Sequence, residues 1–230
     1  MFKTTQIPKG PPATSQKNLT KIQAIKAILS EEKRMILLTQ IEKACVLEPP
    51  LYESLVKDLI NNLTMHCQLL PESENSFYSQ PGGLIDYALH RTDAALSLFK
   101  QFVILDQNET WSDEQKLWQY ALISDSLVQG MGKLYLDYTI HRYDQQKKFI
   151  DLWAPLSEAL TEGASYYAHQ FTGTQDLTFL HRLNLLMARL LMPSDGFAFI
   201  ANAPDVFAVW LSLIDEDYCI AGTLCAILIR

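Results

Sequence analysis

The chain of 230 residues is 48% apolar, 20% charged and 10% aromatic, with a mean hydropathy of zero. This composition excludes a largely unfolded chain; nine Gly and ten Pro exclude a collagen-like repeat, and four Cys a disulfide-dense scaffold. The net charge of −7 argues against a nucleic-acid partner, because binding a duplex takes a surplus of Lys and Arg.

Residues 1–18 hold three prolines (Pro8, Pro11, Pro12) and three lysines (Lys3, Lys9, Lys17), with little that is apolar. They are predicted to form a disordered basic arm ahead of a single domain over 19–230. Residues 1–34 carry seven basic and two acidic groups, leaving twelve basic and 24 acidic groups beyond them. The arm either aids solubility or docks through Lys3, Lys9 and Lys17 on an acidic partner or an anionic membrane face. The sequence leaves both open.

Beyond the arm, apolar residues recur at helical spacing. Ile22, Ile25, Ile28 and Leu29 form one stripe, continued by Ile36, Leu37, Ile41 and Ala44, and Pro49-Pro50 ends it. A second helix follows with Leu55, Leu59 and Leu63 on one face and stops near Pro71. Residues 71–81 lack periodicity and are predicted to be a loop. Gly82-Gly83 opens a helix that aligns Leu84, Ala88, Thr92, Ala95 and Phe99. Ser112 caps the next, with acids in its first turn. Its stripe from Leu117 to Tyr138 predicts a spine of about 30 residues, bent near Gly130 and Gly132. Further helices are predicted from Trp153 to about His169, over Leu177–Leu191, over Asp205–Ile214 and over Tyr218–Ile229. No convincing strand is seen. The expected fold class is all-α.

The apolar run at Cys219–Ile229 is about half the ~20 residues that a spanning helix needs. The first 17 residues show no secretory h-region. The expectation is a cytoplasmic protein with reduced thiols.

Metal chemistry finds little support in the spacing. No two of His66, His90, His141, His169 and His181 lie three or four residues apart. His90-x-x-Asp93 and His141-x-x-Asp144 would each share a helical face, an arrangement more often a surface hydrogen bond than a metal site. Cys67 adjoins His66, but neighbours on a helix point about 100° apart. Pro81-Gly82-Gly83 before a helix serves either as a tight turn or as an anion-binding amide cluster. The crowded C-terminal aromatics are mostly expected in the core. Phe207, Trp210 and Tyr218 are the candidate partner-binding anchors among them.

From Leu55 onward, LVKDLINNLTMHCQLLPESENSFYSQPGGLIDYAL resembles the amino-terminal region of TraI-type MobH conjugative relaxases, an HD-superfamily module. The shared framework is Leu70, Pro71, Ser73 and Glu74, then Pro81, Gly82, Gly83 and Leu84, then Gly132, Lys133 and Asp137. Trp153-x-Pro155-Leu156 and the segment Arg189–Leu211 are similar to later parts of the family, so the likeness spans about residues 35–214. Ser76, Phe77 and Tyr78 stand where the family has a run of histidines. Tyr87 replaces an early helix histidine, and Gln129-Gly130 replaces the His-Asp doublet. The resemblance therefore implies an HD-like fold whose ligand positions are vacant, because Phe and Gly cannot coordinate a metal and Gln and neutral Tyr coordinate poorly.

The implied function is non-enzymatic, with no cofactor. General likeness and length are similar to a small accessory component of the Dot/Icm type IVB coupling complex. That implies an adaptor that helps recruit or position effectors beside a coupling ATPase and its adaptor subunits. The expected location is the cytoplasmic face of a bacterial inner membrane. The alternative is a metal-dependent phosphohydrolase or DNA relaxase using a rearranged set, His90, Asp93, Asp137 and His181. Single-strand DNA binding is a third option, disfavoured by the acidic body.

Overall fold

The chain runs through strand β1 (Thr20–Lys21) into helices α1 (Ile25–Leu29) and α2 (Glu32–Ala44). This is seen in a computed structural model that describes residues 19–102, 110–173 and 177–216. The expected arm and the expected helix over Tyr218–Ile229 lie outside those residues. Pro49 and Pro50 occupy the first turn of α3 (Pro49–Leu51), where a missing amide donor costs nothing. A π-helical segment, Tyr52–Lys57, leads into α4 (Asp58–Cys67). After a loop come α5 (Gly83–Phe102), α6 (Asp113–Val128) and the short α7 (Lys133–Leu136). Three strands follow, β2 (Tyr138–Tyr143), β3 (Phe149–Leu152) and β4 (Tyr166–Phe171). The described chain closes with α8 (Leu177–Leu191), α9 (Ser194–Ala201) and α10 (Pro204–Ile214).

The strands overturn the all-α expectation. They form one antiparallel sheet in the order β1-β4-β2-β3, so the fold is mixed, a helical body with a four-stranded sheet. Tyr138 pairs with Phe171 and Tyr143 with Tyr166; His141 faces Leu152 on the other side, and Thr20 faces Tyr167. Five of the six β2 residues are buried. A strand covered on both faces shows no alternation of polar and apolar residues, so its pattern is hard to tell from a helix. Its aromatic and β-branched content was the available signal.

The predicted long spine is also shorter. The α6 helix starts at Ser112, as its cap predicts: Gln115 N–H donates to Ser112 Oγ at 3.1 Å, and Ser112 N–H donates to Gln115 Oε1 at 2.9 Å. It stops at Val128 because Gly130 adopts φ +78°, a left-handed turn that ends helices. Trp153 begins no helix. Its amide donates to Ile140 O at 2.9 Å as a continuation of the sheet, and turns carry the chain from there to β4.

The core gathers on α6, whose residues Gln119 to Val128 are all buried. The helices α4, α5, α8, α9 and α10 pack around it, and a helix surrounded this way needs no polar face. Arg34 on α2 and Asp86 on α5 form a buried ion pair, Nε to Oδ1 2.7 Å. Arg34 Nη1 also donates to Ile28 O at 3.0 Å, and Lys33 and Gln80 reach Asp86 Oδ2 at 2.9 and 3.1 Å. On the sheet, Arg142 grips Asp151 with two 2.7 Å bonds. Among the described residues no single helix is long and apolar enough to cross a membrane; α8 and α9 would do so only as two pieces turned by 120°.

Burial pushes the Asp86 carboxyl up, but the hydrogen bonds from Arg34 and Lys33 outweigh it and hold the acid below its usual range. Removing Asp86 leaves the buried Arg34 with only Glu31, a half-exposed carboxylate 2.8 Å from Nη1, as counter-charge. Asp86→Ala is therefore expected to cost about 3–5 kcal/mol in urea unfolding. In the native chain the contribution of this pair persists above the normal Asp range and fades as pH falls below it; the variant should lack that acid-side loss.

Candidate functional site

The loop from α4 to α5 carries Ser76, Phe77 and Tyr78, which the resemblance sets at ligand positions, and is knitted to itself. Glu72 N–H donates to Tyr78 O at 2.9 Å, and Tyr78 N–H to Ser76 Oγ at 3.1 Å. Tyr78 O lies so close under Gly83 that an added Cβ would sit 1.8 Å from it. Only glycine fits there. Gly82 N–H donates to Leu69 O and Gly83 N–H to Gln80 O. With both amides engaged, Pro81-Gly82-Gly83 acts as a tight turn rather than an anion cradle.

A chain of contacts leads from this loop to the end of α6. Phe77 is 88% exposed and meets Tyr78 edge-on, ring centroids 5.2 Å apart. Tyr78 packs against Tyr87 at 5.3 Å and His90 at 5.9 Å. The Arg91 guanidinium lies over Tyr87, 5.1 Å from its centroid. From there Arg91 forks onto the C-terminus of α6. Its Nε donates to Ser126 O at 2.7 Å, Nη2 to Gln129 O at 2.7 Å and Nη1 to Gln129 Oε1 at 3.2 Å. Gln129 Nε2 donates on to Leu213 O of α10 at 3.4 Å.

The structure thus links Phe77, Tyr78, Tyr87 and Gln129, with Ser76 tied to the same loop and Gly130 forming the turn beyond. Where a metal centre would set a cation among imidazoles and carboxylates, this site holds a guanidinium among carbonyls. Arginine stays protonated at any working pH. Its charge also suits the negative end of the α6 dipole. The arrangement can hold two helices together, with three of the guanidinium's five N–H donors engaged on the end of α6.

Asp125, one turn before Gln129, is buried, and neither of its oxygens has a hydrogen-bond partner among the described residues. Burial pushes its carboxyl up to about 7, with Arg91 opposing and Glu216 adding. Nearby framework residues are structural. Lys133 pairs with Glu72, and Tyr138 Oη donates to Pro71 O and Glu72 O. Gly132 N–H donates to Asn184 Oδ1 at 2.9 Å.

The rearranged set is spread over several elements. His90 and Asp93 lie on α5, Asp137 follows α7, and His181 on α8 lies 3.4 Å from Glu216. Among the described residues no three His, Cys, Asp or Glu side chains gather in a way that could hold a metal. His141 sits on β2, not on a helix, so it shares no helical face with Asp144, which accepts the amides of Gln146 and Lys148 in a turn. His66 Nε2 meets Pro155 O at 2.9 Å, while Cys67 faces Met131. Of the candidate partner-binding residues, Trp210 is fully buried and donates to Ser124 Oγ at 3.0 Å. Phe207 is half-buried and stacks on Trp210 at 6.0 Å. Lys3, Lys9, Lys17 and Tyr218 lie outside the described residues. Sequence reasoning missed Arg91 and Asp125; a charged pair on facing helices has no signature until the crossing is known.

The family model TraI_2, described as "Putative helicase", matches residues 19–230. A comparison with curated proteins finds no match.

Two outcomes check the geometry. Arg91→Met strands the Ser126 and Gln129 carbonyls and should cost about 2–4 kcal/mol in urea unfolding, with Arg91→Lys recovering only part. For Asp125 the folded state keeps a proton that the unfolded chain has lost, so stability falls as pH rises from about 4 to about 7 and then levels. The slope from this group is at most about 1.4 kcal/mol per pH unit. Asp125→Asn should flatten it in melts taken across that range.

Proposed function

From the premise that the chain belongs to the TraI_2 family, and so to the relaxase-like proteins, we propose that it is a non-enzymatic adaptor of a bacterial type IV secretion coupling complex. It helps recruit or position effector proteins, with a coupling ATPase and its adaptor subunits as partners, at the cytoplasmic face of the inner membrane. The resemblance to a small accessory component of the Dot/Icm type IVB coupling complex supports that assignment.

One observation carries the reading: the Arg91 guanidinium, lying against Tyr87 and Gln129, donates three hydrogen bonds to Ser126 O, Gln129 O and Gln129 Oε1. A metal brought to this point would meet a fixed positive charge and backbone carbonyls already engaged. At like charge and close range that is repulsive, and more so where water is sparse. The residues that replace the family's histidines either pack, as Tyr78 and Tyr87 do, or face outward, as Phe77 does.

The test uses the purified full chain. Elemental analysis after incubation with Mn²⁺, Fe²⁺ or Zn²⁺ should find far less than one ion per chain. Hydrolysis of a phosphodiester and nicking of single-stranded DNA should stay at background. Affinity purification from the native cell should recover an ATPase with its adaptors. Stoichiometric metal, with hydrolysis lost on His181→Ala, would instead establish the enzyme.

A further inference from the structure

The outward side of α8 joins apolar and basic character in a way the rest of this acidic chain does not prepare for. The helix has His181, Arg182 and Arg189 and no acidic residue, within a net charge of −7. At 100° per residue, Leu183, Asn184, Met187, Ala188 and Leu191 turn inward and are buried. Phe179, Leu185, Leu186 and Leu190 turn outward and are exposed, Leu186 to 54%. Phe179, Leu186 and Leu190 fall within about 40° of arc and span about 16 Å along the axis. Tyr135 extends this stripe at its first end, its ring meeting Phe179 edge-on at 6.1 Å. Arg182 and Arg189, seven residues apart and both exposed, form a parallel row beside it. Arg189 is held in place over the Phe197 ring, 4.8 Å from its centroid.

Apolar residues seven and four apart on an exposed helix make half of a knobs-into-holes seam. The arginine row fixes the charge of the other half. We propose that this face docks an amphipathic α-helix of a protein partner, about three turns long. Its apolar stripe would cover Phe179, Leu186 and Leu190, and its Asp or Glu residues would meet Arg182 and Arg189. Two other occupants fit the charge less well. A second copy of α8 brings no carboxylate; in this chain Tyr218–Ile229 contains none, and of the acids just before it Glu216 is placed on His181, at 3.4 Å. The proposal deepens the adaptor reading and rests on it.

The experiment measures fluorescence anisotropy of the full chain with two designed helical peptides. They share one leucine seam and differ only in flanking Glu or Lys. The Glu peptide should bind at least about tenfold more tightly at low salt, with the margin narrowing at high salt. Leu186→Ser with Leu190→Ser should abolish binding, and Arg182→Glu with Arg189→Glu should reverse the preference. All four positions are exposed, and unchanged melting would show that the variants fold. Equal binding of the two peptides, no binding, or a preference untouched by the charge reversal would overturn the proposal. So would tighter binding by a peptide of residues 217–230, or a dimer in sedimentation that Leu186→Ser dissolves. If the peptides fail while the ATPase still co-purifies, this face is wrong and the adaptor reading stands; if co-purification fails, the adaptor reading falls on its own.

Discussion

The crossing of α5 over α6 is tied at the end of α6 by one guanidinium, beside a Ser126–Thr92 hydrogen bond of 3.0 Å. A helix buried on every side cannot send its last carbonyls to water, and unpaired carbonyls in a low-dielectric interior are costly. Arg91 reaches across from α5 and answers Ser126 and Gln129 with one rigid fork. About a turn and a half earlier on the same helix, Asp86 answers Arg34 of α2. α5 is thus clamped on two faces by two charged groups, once by its own anion and once by its own cation. The helices it joins form the scaffold on which α8, α9 and α10 pack.

The same fork shapes the chemistry of the site. Charge complementarity at the α6 terminus is met by a side chain, which leaves Asp125 behind it buried without a hydrogen-bond partner among the described residues. An acid there is easier to keep protonated than to ionise, since the nearest cation is already shared with two carbonyls and an amide oxygen. Tyr87 completes the arrangement by covering the guanidinium with its ring. Aromatic and amide groups thus stand at positions that the family resemblance associates with imidazole, and Gly130 at the one it associates with a carboxylate.

Much of the helical framework was legible from the residues alone. Ser112 announced α6, the prolines at 49 and 50 marked a boundary, and Leu177–Leu191 was read to the residue. The sheet was not. β2 is covered on both sides, so the alternation that betrays a half-buried strand is missing. The stretch from Trp153 to about His169 was expected to be a helix, but Trp153 continues the sheet, turns follow, and its end forms β4. At the site, the motif comparison picked out Tyr78, Tyr87 and Gln129, which do share one cluster. It could not supply Arg91, whose partners lie 35 and 38 residues away. Trp210 illustrates the opposite difficulty. Its size suits an interface, but the rings of Phe197 and Phe207 and the hydroxyl of Ser124 enclose it.

The pairing of β1 with β4 bears on how the protein reaches this state. Thr20 and Lys21 find their partners at Tyr167 and Tyr166, some 145 residues further along. During synthesis at the ribosome those two residues emerge well before their partners. Closing so long a loop is slow, and its entropy is recovered only once the opposing strand is in place. Pairing of this edge has to wait for Tyr166 and Tyr167 to be made, and it is the most non-local pairing in the described sheet.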